Sequence, residues 1–389
     1  MISTEKLITA IRQEHLGGWL FYNLNHHDPL ADKILGIPFH ASNTRPWIYI
    51  LRADSTAVKI VHQIEPEILA HLAGETVLYS GRQAMEKILA PLSGHKKPFA
   101  LNFSVEFPKL SFIDHGTFLW LASLGWNLVS SQQLILLSMS TLSADEIASH
   151  EAAGMSLYAI VHNVWKRIAD AFTSGDSGLY EGTVLGWVME EFSRHNLETE
   201  LPLIIGTGKN TTKPHYSPDG KGDRLKPGQV LQIDIWGKKK EAGAIYADIS
   251  WVGFLGRDIP AKEQEVFRVI RDARDAVIRL AADRFAAGLP VSGAELDAKA
   301  DEFIRIAGFG EYIKHRTGHS IDTDVHGTGI NIDSREFPDT RQLAEGCCFS
   351  VEPGLYLEEF GMRTEIDVYI KNSVPVISGA KPQQTLLCF

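Results

Sequence analysis

Cysteine is scarce in this chain: Cys347, Cys348 and Cys388 are the only three in 389 residues. Two of them are adjacent in apolar text, and an odd count cannot close a disulfide framework, so a reducing compartment, the cytoplasm, is the expected location. No stretch approaches the ~20 apolar residues of a membrane helix. The opening text, Met1 to Arg12, has charges at helical spacing and lacks the apolar core of about 7–15 residues that an export signal needs. A basic excess is also missing. Lys and Arg total 38 against 48 Asp and Glu, a net charge of −10, which argues against nucleic acid and anionic membrane as partners. Nor is there a dinucleotide loop, because Gly17-Gly18 and Gly206-Thr-Gly208 lack the third glycine and the downstream acid.

What remains is an ordinary globular composition, 44% hydrophobic and 22% charged, in a chain long enough for two or three domains. Residues 1–142 alternate short helical and strand-like segments, which predicts an α/β layer on a parallel or mixed sheet. A helix is expected over Ile64–Ala73, and His26-His27 beside Asp28 reads as a solvated loop. Ser143-Ala-Asp-Glu146 matches a capping box ahead of a long helical pattern, so the boundary is placed there and a second domain spans 143–389.

That second part repeats itself. Helix, helix and a strand pair occupy about 144–254, and the same order returns from Ala261. Asp234 lies six residues after Gly228, as Glu352 does after Gly346. The return strands read Ala247-Asp248-Ile249 and Thr364-Glu365-Ile366. Each half therefore carries two acids in apolar strand text, one per strand of a hairpin. An ionised carboxylate in an apolar layer is costly unless a cation or hydrogen-bond donor faces it. Four such acids beside the histidine run His315, His319, His326 are an oxygen-rich, hard ligand set. They carry too much negative charge for one ion, and two divalent cations roughly 3.5–4 Å apart would neutralise them. One imidazole among carboxylates favours manganese first, then cobalt, zinc or iron, over copper, magnesium or calcium.

On these residues the chain resembles the pita-bread metallopeptidases, and its two-part layout is similar to aminopeptidase P and prolidase. The resemblance implies a fold of α/β (α+β) class: an N-terminal creatinase-like domain, then a pita-bread catalytic domain with internal two-fold pseudo-symmetry. It implies Asp234, Asp248, His319, Glu352 and Glu365 as ligands of two divalent metal ions. It assigns Glu352 as proton shuttle, His326 to the oxyanion, His215 to the substrate backbone and His315 to the pocket wall. Arg363 orients a ligand carboxylate through paired hydrogen bonds. The implied activity is hydrolysis of an Xaa-Pro bond in a small peptide by a metal-bridging hydroxide, as an aminopeptidase or a dipeptidase, in a homodimer. Two alternatives are a same-fold hydrolase of a small amide or amidine, as in creatinase- or ectoine-derivative hydrolases, and an inactive binding module. The chain also departs from the family. Gly318-His319-Ser320-Ile321-Asp322 stands where the family often reads Gly-His-Gly-Ile-Gly, and Asp322 is expected to cap the following turn. Ser250-Trp251 replaces the usual Thr-Arg, and Trp236 follows the first ligand strand.

Overall fold

The computed structural model describes residues 2–94, 96–175, 178–199 and 202–388. The chain forms two compact units, Met1–Met139 and Ser140–Phe389. Residues 141 and 142 belong with the second because Thr141 bridges to Cys347 and the Leu142 amide donates to the Gly346 carbonyl.

The first unit is built on strands β1 (Gly18–Asn23), β2 (Trp47–Arg52), β3 (Ala57–His62), β4 (Glu75–Tyr79), β5 (Phe99–Leu101) and β6 (Leu128–Ser130). Among the described residues they form one mixed sheet in the order β4-β3-β2-β1-β5-β6. Its helices are α1 (Thr4–Gln13), α2 (Pro29–Leu35), α3 (Arg82–Leu92), α4 (His115–Ser123) and α5 (Gln132–Met139). Strand side chains alternate between faces. Trp19, Phe21, Trp47, Tyr49 and Leu51 accordingly pack with α1, α2 and α5, while Leu20, Ile48 and Ile50 pack with α3 and α4. Both faces are covered, which is why β1 and β2 read as continuous apolar text.

Two expectations fail in this unit. Residues 64–73 form successive turns instead of a helix: Ala70 bonds back to Glu67 and Leu72 to Leu69, each a three-residue step. Pro66 interrupts the segment, and Glu65 turns back to accept from Ser42 and from the Thr44 and Arg45 amides. Tertiary bonding thus overrides a helical pattern. His26-His27-Asp28 is not a solvated loop either. His27 is exposed, but His26 lies between Asp32, at 2.6 Å, and the Ala41 carbonyl, at 2.9 Å. Asp28 is buried and caps α2 through the Ala31 amide.

The second unit opens with α6 (Ala144–Thr173), whose Ser143–Glu146 capping box forms as expected, and α7 (Glu181–Arg194). Strands β7 (Leu197–Glu198) and β8 (Ile204–Thr207) both pair with β9 (Val230–Lys239), which also pairs antiparallel with β10 (Ala247–Phe254). Leu231, Ile233 and Ile235 of β9 and Ala247, Ile249 and Trp251 of β10 face α6, completing an apolar core. Alternation then forces Gln232, Asp234, Asp248 and Ser250 onto the other face, where Asp234 sits opposite Ser250 and Trp236 opposite Asp248.

The pattern recurs with α8 (Ala261–Ala286), α9 (Gly293–Ile306), β11 (Cys348–Val351), β12 (Gly354–Tyr356), β13 (Gly361–Arg363), β14 (Ile366–Lys371) and β15 (Val374–Ile377). Here the expected continuous hairpin is broken. β11 pairs β14 and β12 pairs β13, and both acids lie in the gap between the two ladders. Pro353 cannot donate to a ladder. The Glu352 amide instead bonds the Thr317 carbonyl, and the Glu365 amide bonds the Ser250 carbonyl. The break therefore ties the second acid pair to the histidine segment and to β10. Gln232 completes the join by exchanging two hydrogen bonds with the Arg363 backbone.

Replacing Ser143 with Ala removes the cap of α6 and is expected to cost about 1 kcal/mol. Chemical denaturation measures it; an unchanged midpoint at equal slope would show that the cap contributes nothing.

Candidate metal centre

Strand alternation, the broken hairpin and one loop bring all five expected ligand residues to one small cavity of about 210 Å³. Asp234, Asp248, His319, Glu352 and Glu365 line it with His215, His315, His326 and Arg363. Every one of the five is at least nine-tenths buried. His319 stands at their centre: Nε2 is 3.4 Å from Glu352 Oε1, 3.7 Å from Asp248 Oδ2 and 4.0 Å from Glu365 Oε1. Its Nδ1 lies 3.2 Å from the Ser320 carbonyl, which can only accept, so the backbone assigns a proton to Nδ1 and turns Nε2 toward the acids. The close approach of this segment to β11 explains Gly318, because a methyl group there would collide with the Ser350 carbonyl oxygen.

Neutralisation is uneven. Arg363 pairs directly with Asp234, and its Nε donates to Ser250 Oγ at 3.1 Å. Ser250 in turn donates to Asp234 at 2.6 Å and lies 3.0 Å from Glu365. The expected paired contact from Arg363 is thus one direct bond and one relayed through Ser250. Burial acts against the Arg363 charge, but Asp234, Tyr356 and Glu352 hold its pKa well up. Asp248 Oδ1 and Glu365 Oε1 are fully buried without any hydrogen-bond partner. Burial, then the neighbouring acids, push both carboxyls far above the usual carboxylate range. Glu352 is raised to about 7, mainly by burial, with Arg363 opposing.

Asp248, His319 and Glu365 each offer a ligand atom within 4.8 Å of the others. Orphaned carboxylate oxygens, a backbone-fixed imidazole and hard donors together fit a divalent cation. A positive ion would remove the repulsion and satisfy both orphaned atoms.

The remaining histidines differ. His315 is half-buried and spent on structure: Nδ1 lies 2.6 Å from the Arg316 carbonyl and Nε2 2.7 Å from the Tyr356 hydroxyl. Burial and Arg363 push its pKa down to about 3, so it lines the cavity as a neutral ring. His326 is exposed and packs edge-on against His319 at 4.3 Å. His215 is exposed on the loop that follows β8. Asp322 does cap its turn, accepting from the Asp324 and Thr328 amides, and stands outside the cavity lining. Sequence reasoning missed Tyr356, which links Arg363 to His315. It also missed Asp367, which accepts the Asp248 amide at 2.7 Å. The apolar wall of Ile204, Trp236 and Val325 was likewise only partly foreseen, through Trp236.

Comparison with known proteins places these residues in context. The model of metallopeptidase family M24 matches residues 152–372, more than half of the chain. The Xaa-Pro dipeptidase of Lactobacillus delbrueckii subsp. lactis is 34% identical over 175 residues, covering 43% of this chain and 42% of the relative. That of Lactobacillus helveticus is 34% identical over 197 residues, covering 49% and 48%. The chain spans about half the length of the curated relatives it matches. Among solved structures, dipeptidase PepE from Mycobacterium ulcerans superposes with a TM-score of 0.73 at 21% identity, covering 98% of this chain and 96% of that one. The N-terminal domain of FACT complex subunit SPT16 from chickpea reaches 0.67 at 12% identity, covering 99% of each, so the fold alone does not decide activity. The family match and the residues gathered in the cavity agree: the chain belongs to metallopeptidase family M24.

Proposed function

We propose that this protein is a dinuclear metal-dependent hydrolase that cleaves an N-terminal residue from proline in short peptides. One observation carries the reading: Asp248 and Glu365 stand 3.7 and 4.0 Å from His319 Nε2 beside two further acids, and each holds a buried oxygen without a hydrogen-bond partner. Asp234 and Glu352 complete a set for two ions, manganese first. When bound, such ions acidify a water and polarise the scissile carbonyl. The protein side chains do the rest. Glu352 accepts a proton at its carboxylate and returns it to the leaving nitrogen. His326 donates to the developing oxyanion, and His215 holds the substrate backbone. Arg363 and Ser250 fix Asp234. Ile204, Trp236 and Val325 offer an apolar wall to the substrate. The 34% identical relatives named Xaa-Pro dipeptidase support the substrate class. The small cavity, about 210 Å³, equally admits a small amide, which therefore belongs in the same assay.

Turnover of Xaa-Pro dipeptides, longer Xaa-Pro peptides and small amides by manganese-loaded protein tests the reading. Hydrolysis before proline is expected; a fully loaded protein that cleaves none of the peptides would remove it. Glu352→Gln should keep metal and lose at least ~100-fold in rate, whereas an unchanged rate would deny Glu352 the proton. Asp248→Asn is expected to lower metal content, read by elemental analysis, and equal content would speak against Asp248 as a ligand.

A pH dependence follows from Glu352. With a folded pKa of about 7 against an ordinary 4.5, the metal-free folded chain keeps a proton that the unfolded chain releases. This group's contribution to stability is full below the ordinary value and is lost as pH rises toward about 7. Metal uptake must expel the proton, so titration calorimetry near pH 6 in buffers of different ionisation enthalpy should register proton release. No buffer dependence would contradict the protonated state.

A further inference from the structure

Two buried carboxylates outside the cavity are untouched by the proposed chemistry, and each stands on the second helix of one repeat. Glu181 is the first residue of α7 and has no exposed surface. Its Oε1 accepts from the Thr207 amide at 2.7 Å and from Asn210 Nδ2 at 3.0 Å. Its Oε2 accepts from the Tyr216 hydroxyl and the Asp223 amide, both at 2.7 Å. These donors bracket the loop that carries His215. Asp297 on α9 is 2% exposed and does the same for the second repeat. It accepts the Thr317 amide at 2.8 Å on one oxygen, and the Ser334 amide and hydroxyl at 2.7 and 2.6 Å on the other. Thr317 lies between His315 and His319, and its carbonyl accepts the Glu352 amide. Asp297 is therefore one bond from the backbone that carries both His319 and Glu352.

We infer that Glu181 and Asp297 are paired positioning residues, one per repeat: Glu181 sets the substrate-binding histidine and Asp297 sets the metal-binding segment. The inference rests on the site reading above. The chemistry demands a carboxylate at each place, because both oxygens face donors and an amide would turn an NH₂ against a backbone N–H that cannot rotate away. A buried donor so orphaned weakens the whole loop rather than one contact.

The two substitutions should separate in their readouts. Asp297→Asn lowers the affinity for Mn²⁺ by ~10–100-fold, as loss of a supporting partner does at metal sites. Glu181→Gln leaves Mn²⁺ affinity unchanged, speeds amide exchange across 207–223, and lowers kcat/KM at least ~10-fold, mainly through KM. In a His215→Ala background Glu181→Gln adds less than about twofold, since the two act through one group. A purely structural role would give equal metal loss in both variants, or independent, additive kinetic losses, and either result overturns the inference. Should Glu181→Gln fail to fold, Tyr216→Phe removes one donor from the same carboxylate and must show the smaller KM rise, also absent without His215. If wild-type protein hydrolyses no peptide, the peptidase reading falls, while metal affinity and amide exchange still decide the positioning roles.

Discussion

The structure turns on concentrated negative charge in a place with little water. Asp234, Asp248, Glu352 and Glu365 share a cavity of about 210 Å³ with His319 and Arg363. Buried like charges repel strongly at low dielectric, and a fold keeps them only where something positive makes the arrangement favourable. Arg363 is committed to Asp234 and does not reach Asp248 or Glu365 within ion-pair distance. Each of those two acids is left with one unsatisfied oxygen, and both stand beside His319. Such an arrangement is costly as bare protein and favourable around cations.

The scaffold delivers this geometry with simple means. In β9 and β10 the two-residue period sends the isoleucines to the helices and the aspartates to the opposite face. In the second repeat Pro353 opens the ladder, and the backbone of each glutamate is captured by a different segment. Shared helix–helix–strand order thus ends in two unlike constructions that place equivalent acids together.

Much of this was legible because it repeats. The spacing of glycine to acid in both halves, the apolar text around each acid and the nearby histidines pointed to the five residues that the cavity gathers. The mixed α/β layer of the first unit and most helix positions followed from periodicity. Other features carried no local mark. Glu181 looks like any acid in the first turn of a helix, and Asp297 like any polar helical residue; only the loops folded onto them reveal their use. Tyr356 reads as core, and the turns at 64–73 arise from Glu65 reaching residues some twenty positions away. Ser250 in place of threonine keeps the hydroxyl that bridges Asp234 and Glu365, so that departure is chemically silent. Asp322 is spent on its own turn.

Fold and family leave the choice among substrates to the cavity walls, where Ile204, Trp236 and Val325 face the acids. The central claim is narrower and comes first: the four acids and His319 exist to hold a pair of cations. Titration of the metal-free chain with Co²⁺ at pH 7.5, followed by visible absorption and elemental analysis after gel filtration, tests it directly. The account predicts that two ions per chain remain bound; retention of none or of only one would contradict it.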